Sequence, residues 1–268
     1  MKNINIHLKS IIFFALLVIS CKEKIDLDIP NGDPKLVVEA EVSTEVDSSF
    51  VRLTKSANYY SSADYIKVKD ALVVVNSDTF FHVADGVYRP KKSYVAVPNT
   101  TYNLKIVAEG KTYTSTSTLT PMFRVDSVQQ VFKPAQGFLK EGYTLKYFAY
   151  DDREPIKYTY FRFGKNDLQG NDSLFDAKIL FDNGVTRNGS YEFELPFLRL
   201  KPTDYSYMIF RSVDKNMYEF INAYNSQTTG APGPFQVPPA NLPTNIVGGA
   251  LGYFATYDVV RTNRFLIK

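Results

Sequence analysis

Tryptophan is absent from the 268 residues, cysteine occurs once and histidine twice. The one cysteine is Cys21, and His7 lies in a segment expected to be removed, so His82 is the only histidine of the expected mature chain. Cys/His zinc sites, disulfides and thiol catalysis are thereby excluded, since each needs several of these side chains together. Charge of one sign is scarce as well: 31 Lys and Arg against 28 Asp and Glu give +3, and loss of Lys2 and Lys9 with the leader leaves +1. A near-neutral chain lacks the cationic surface that drives nucleic-acid binding. What the chain has is apolar and aromatic mass, 44% hydrophobic residues with 20 Phe and 19 Tyr. That is the composition of a folded protein, long enough for one large domain or two small ones.

Residues 1–20 read as a secretory leader, with Lys2 and Lys9 ahead of the apolar run Ile11 to Ile19. Nine apolar residues are too few to span a bilayer as a stable helix. The run ends in Val18-Ile19-Ser20-Cys21, which resembles a bacterial lipobox in which Cys21 is acylated and becomes the mature N-terminus. The alternative is an ordinary signal peptide with a chance cysteine. Each buried methylene of an acyl chain contributes about 0.8 kcal/mol, so several chains anchor a protein durably. Residues 21–33 then form a charged tether, Lys22-Glu23-Lys24 followed by Ile25-Asp26-Leu27-Asp28.

From Leu36 onward the dominant period is two, the mark of half-buried strands. In residues 34–121 the expected strands are Leu36 to Val42, Phe50 to Lys55, Ala71 to Asn76, Thr79 to Ala84, Tyr102 to Ala108 and Lys111 to Leu119. Asp85-Gly86 and Glu109-Gly110 supply hairpin turns between runs. These strands predict an immunoglobulin-like β-sandwich, with the Thr/Ser-rich last strand at an edge and Pro121 as the domain boundary. Residues 122–268 predict a second β-rich domain with strands at Val125 to Phe132, Tyr143 to Tyr150, Lys157 to Phe163, Phe175 to Phe181, Tyr191 to Leu195, Ala255 to Val260 and Arg264 to Ile267. One helix is expected where Met217, Phe220, Ile221 and Tyr224 recur at helical spacing, capped by Asp214, with this stripe packed in the core. Thr228 to Pro243, rich in Pro and Gly, reads as a surface strap.

The order of the lipobox, Pro34 to Ala40, Gly86-Val87-Tyr88, Glu109 to Ser115, Tyr158 to Arg162, Leu174-Phe175-Asp176, Val213 to Tyr218, Pro234 to Pro238 and Gly252-Tyr253-Phe254 resembles domain-of-unknown-function family 4249 of Bacteroidota outer-membrane lipoproteins. Lys157 and Ala250 depart from its pattern. The resemblance implies a mainly β fold and the company of TonB-dependent receptors. It implies no established chemistry and no catalytic residues. A Lys followed by acidic residues after the lipid cysteine resembles a signal for display on the cell surface; Lys22-Glu23 fits and Lys24 interrupts it.

No reaction is legible. His82 alternates with strand neighbours and reads as a locally hydrogen-bonded histidine. Asp151, Asp152 and Glu154 cluster in a turn, where adjacent side chains diverge rather than face each other as a glycosidase pair does. Glu192 and Glu194 share a strand face about 7 Å apart, and polar-out alternation explains both. Gly248, Gly249 and Gly252 match no nucleotide loop and fit a close backbone approach before a last strand. The loop 166–173 carries oxygen ligands suited to calcium without EF-hand spacing. Neither a cofactor nor a metal is expected. The remaining candidates for contact are Tyr59, Tyr60 and Tyr65, whose rings suit a partner surface, a glycan or a peptide. Two functions stay open: a non-catalytic accessory lipoprotein of a TonB-dependent receptor barrel in nutrient uptake, or an independent surface glycan- or peptide-binding module.

Overall fold

Leu36, Val38, Ala40 and Val42 alternate with Val37, Glu39 and Glu41, and in the computed structural model they form β1 (Leu36–Ser43), with the first set buried and the second half-buried. The structure describes residues 33–57, 65–151, 157–166, 172–182, 189–195, 197–228 and 241–268. The leader, Cys21, Tyr59, Tyr60, Asp152, Glu154, most of the loop 166–173 and most of the 228–243 strap lie outside them. Residues 34–268 form one compact unit. Among the described residues, no helix is long and apolar enough to cross a membrane.

The mainly β fold expected from the sequence is what forms. After β1 come β2 (Phe50–Lys55), β3 (Ala71–Val75), β4 (Asp78–Ala84), β5 (Val87–Pro90), β6 (Thr101–Ala108) and β7 (Lys111–Thr118). The second half adds β8 (Arg124–Lys133), β9 (Gly142–Tyr150), β10 (Tyr158–Asn166), β11 (Asp172–Asp182), β12 (Ser190–Glu194), β13 (Tyr205–Val213), helix α1 (Lys215–Thr228), β14 (Leu251–Tyr257), β15 (Val259–Arg261) and β16 (Phe265–Leu266). Turns β4–β5 and β6–β7 have positive φ at both central residues, 51° and 74° at Asp85-Gly86 and 51° and 73° at Glu109-Gly110. That is the type I′ geometry that matches strand twist in two-residue hairpins.

The first eight-stranded sheet runs β14-β1-β2-β5-β4-β3-β6-β7, so the strands of residues 34–121 lie on one hydrogen-bonding path with β7 at its end. Its other end is β14, which pairs in parallel with β1 from Val37↔Leu251 to Ser43↔Tyr257. β14, from beyond Pro121, therefore continues the sheet built by the strands of residues 34–121. Val38, Leu53, Val73, Phe80, Leu104 and Ile106 fill the first core together with Phe254 from β14. The second core lies between β12-β9-β8 and β11-β10-β13-β15, with β16 paired to β13, and is aromatic: Phe123, Phe161, Phe181, Phe193 and Phe210 gather with Tyr147.

Helix α1 starts where Asp214 can cap it. Asp214 Oδ1 accepts the Met217 amide at 2.9 Å, and Oδ2 accepts the Ser117 hydroxyl of β7 at 2.5 Å. One carboxylate thus satisfies an otherwise orphaned helix donor and ties α1 to the first sheet. Met217 and Ile221 are buried against Tyr160, Val213, Ala255 and Tyr257 in a third apolar cluster. Asp214→Ala is expected to destabilise the protein by about 1–2 kcal/mol in thermal melts, with Asp214→Asn recovering most of it because Asn also caps.

Candidate functional site

Among the described residues, the carboxylates and the histidine singled out from the sequence do not converge; Asp152 and Glu154 lie outside them. Glu192 on β12 pairs with Lys146 of the adjacent β9 at 2.8 Å, and Glu194 with Lys133 of β8, one strand further, at 2.9 Å. His82 Nε2 accepts the Gly86 amide at 3.3 Å and its ring sits edge-on to Tyr88. Asp151 is buried at the end of β9. Among the described residues, no group of three His, Cys, Asp or Glu side chains could hold a metal ion. Tyr65 is 67% exposed beside Ile66 at 62%, an apolar step on the surface; Tyr59 and Tyr60 lie outside the described residues.

Charge does converge elsewhere. A cavity of about 630 Å³ lies between β1 and β14 on one side, β10 and β13 on the other, and α1. β1 gives it Glu39 and Glu41, because one strand face carries alternate residues and the opposite face is already committed to the first core. β10 and β13 give it Tyr160, Arg162 and Arg211: Tyr160 stands opposite Arg211 in their antiparallel register, and Arg162 follows two residues along the same face. Phe220, Ile221 and Tyr224 come from α1, and Leu251, Tyr253 and Tyr257 from β14. The helical stripe read as core is thus divided. Met217 and Ile221 are buried, while Phe220 and Tyr224 are half-buried along the cavity.

Glu41 Oε2 accepts from Arg211 Nη1 at 3.5 Å, and Oε1 accepts from the Tyr253 hydroxyl at 3.4 Å. Both lie beyond the usual range for charge-assisted hydrogen bonds. Burial pushes the Glu41 carboxyl above its ordinary pKa; Arg211 opposes this and Glu39 adds to it. Burial pulls the Arg211 guanidinium down, and the charge of Glu41 with the nearby tyrosines more than offsets it, leaving a net rise. Arg211 also lies over the Tyr257 ring at 5.2 Å, and its Nε is buried with no hydrogen-bond partner. Tyr253 and Tyr257 are both raised, first by burial and then by the Glu41 charge. Glu39, at the outer end, is held by Arg52 at 2.6 Å. An acid and a base thus face one cavity with much of their hydrogen-bonding capacity unspent, beside an apolar wall. Such an arrangement suits a ligand that both donates and accepts.

None of these charges figured as a candidate in the sequence. Glu39 and Glu41 alternate as surface residues would, and only the packing of β10 and β13 over them makes their face interior. The available signal was an arginine set against an apolar run, Phe161-Arg162-Phe163 and Ile209-Phe210-Arg211.

A family model described as a domain of unknown function, DUF4249, matches residues 22–263. No curated protein matches the chain.

Proposed function

The chain belongs to the DUF4249 family, and from that premise we propose that it is a non-catalytic outer-membrane lipoprotein, anchored through Cys21 and facing the cell exterior, that serves a TonB-dependent receptor as its accessory partner in nutrient uptake. The lipobox-like ending at Ser20-Cys21 and the charged tether behind it support the anchor. The observation that carries a binding role is the cavity under α1, whose Glu41 and Arg211 are held together only loosely at 3.5 Å. Confinement in the same membrane raises the effective concentration of lipoprotein and barrel, so a modest contact surface remains occupied. Tyr65 and Ile66, with Tyr59 and Tyr60 nearby in sequence, are the contact residues of this reading, since tyrosine gives large contact area at low entropic cost. The cavity equally favours a second reading, an independent surface module for a glycan or peptide.

Crosslinking in intact cells followed by mass spectrometry separates the two. Wild-type protein is expected to recover an outer-membrane barrel, and Cys21→Ala is expected to leave the membrane fraction and lose that product. Recovery of no barrel, with saturable binding of a purified glycan or peptide, would overturn the receptor reading in favour of the module.

A further inference from the structure

Granted the binding role proposed above, on which this rests, the walls of the cavity restrict what can bind. We infer that it takes a small apolar zwitterion, a free α-amino acid or dipeptide with apolar side chains, its ammonium on Glu41 and its carboxylate on Arg211.

Three features of the cavity lead there. First, the acid and the base come from different sheets, Glu41 from β1 and Arg211 from β13, and they meet only at 3.5 Å. An ammonium can donate to Glu41, and a carboxylate can accept from the guanidinium, at the shorter distances that charge-assisted hydrogen bonds prefer. Second, among the described residues the Arg211 Nη1 donor is committed only to its long contact with Glu41, which leaves the guanidinium able to donate to a carboxylate. Third, the charges lining the cavity balance, Glu39 and Glu41 against Arg162 and Arg211. A simple anion would meet the Glu41 charge and a simple cation the Arg211 charge, whereas a zwitterion meets neither unfavourably.

The rest of the ligand is set by α1 and its surroundings. Met217, Phe220, Ile221, Leu242 and Leu251 all line the cavity, an apolar portion that rewards apolar side chains and leaves hydroxyl-studded sugars without partners there. A volume of about 630 Å³ falls within the range of small-molecule sites and leaves room for a dipeptide.

Isothermal titration of the detergent-solubilised mature lipoprotein tests this with leucine, Leu-Leu, N-acetyl-leucine, leucinamide, octanoate and maltose. Leucine or Leu-Leu is expected to bind saturably, and whichever binds tighter shows whether one residue or two fill the cavity. Acetylating the amine or amidating the carboxylate is expected to weaken binding at least tenfold, as are Glu41→Gln and Arg211→Lys. Because a change at Arg211 can disturb folding, Leu242→Trp supplies a second variant that fills the cavity and leaves the charged pair in place. It is expected to abolish binding with little change in melting temperature. Equal binding of the acetylated or amidated forms, binding unaffected by Leu242→Trp, or saturation by octanoate or maltose with both zwitterions silent would overturn the ligand class while leaving a binding role intact. Silence from every compound, with no small molecule carried by the cell-derived protein in native mass spectrometry, would overturn the binding role itself.

Discussion

Gly252→Ala is expected to destabilise the protein by about 4 kcal/mol or more, a fall of roughly 10 °C in melting temperature for a chain of this size. Gly252 sits in β14 opposite Val38 of β1, with φ of 98°. A Cβ there would overlap the Val38 carbonyl oxygen and press on the carbonyl carbon at 2.8 Å and the amide nitrogen at 3.0 Å. These are backbone atoms of a fully buried residue, so no rotamer change relieves the overlap; the β1–β14 pairing must open. Gly249→Ala provides the comparison, because its φ of 87° is also positive while its Cβ would meet nothing within 4 Å. Backbone strain alone predicts about 1–3 kcal/mol there, and the difference between the two variants measures the close approach. Equal losses would show that strain, not overlap, governs Gly252. Since Leu251 and Tyr253 flank this residue and line the cavity, Gly252→Ala is also expected to weaken ligand binding in whatever fraction remains folded.

That glycine shows how far the sequence reaches. A close backbone approach is readable from the Gly248, Gly249 and Gly252 spacing, but the sequence places it before a strand at Ala255, whereas Gly252 lies inside β14, and its partner is not readable. A parallel pairing between residues 37–43 and 251–257 leaves no trace in local periodicity. Strands with one wet face, such as β2 and β6, are legible to within a residue because alternation records burial directly. β13, Tyr205–Val213, leaves no such record: Met208, Ile209 and Phe210 are buried in succession because both of its faces are covered. A run of that kind does not declare itself as a strand from period two. The same double coverage hides the site, for Arg211 belongs to this strand, and Glu41 looks exposed until the second sheet closes over it.

Removing Arg211 should therefore be costly in a way that pH reveals. Arg211→Met is expected to destabilise by about 2–4 kcal/mol at pH 8, since it leaves Glu41 buried without its principal counter-charge. The lower part of the usual range for broken buried pairs applies because both side chains retain 18% exposure and their contact is long at 3.5 Å. Glu41 already has a raised pKa in the folded protein, chiefly through burial, and loss of the arginine raises it further. A carboxyl raised on folding contributes stability below its unfolded value, and that stability is lost as pH rises through the folded value. The deficit of Arg211→Met relative to wild type should therefore shrink as pH falls from 8 towards 5, where protonation neutralises the stranded carboxylate. Glu41→Gln combined with Arg211→Met should recover at least half of the loss at pH 8, because an amide can sit in this cavity without charge. Thermal melts of the two single variants and the double variant at both pH values check this. A deficit independent of pH, or a double variant no better than Arg211→Met alone, would mean that the arginine stabilises through packing on Tyr257 rather than by holding the Glu41 charge.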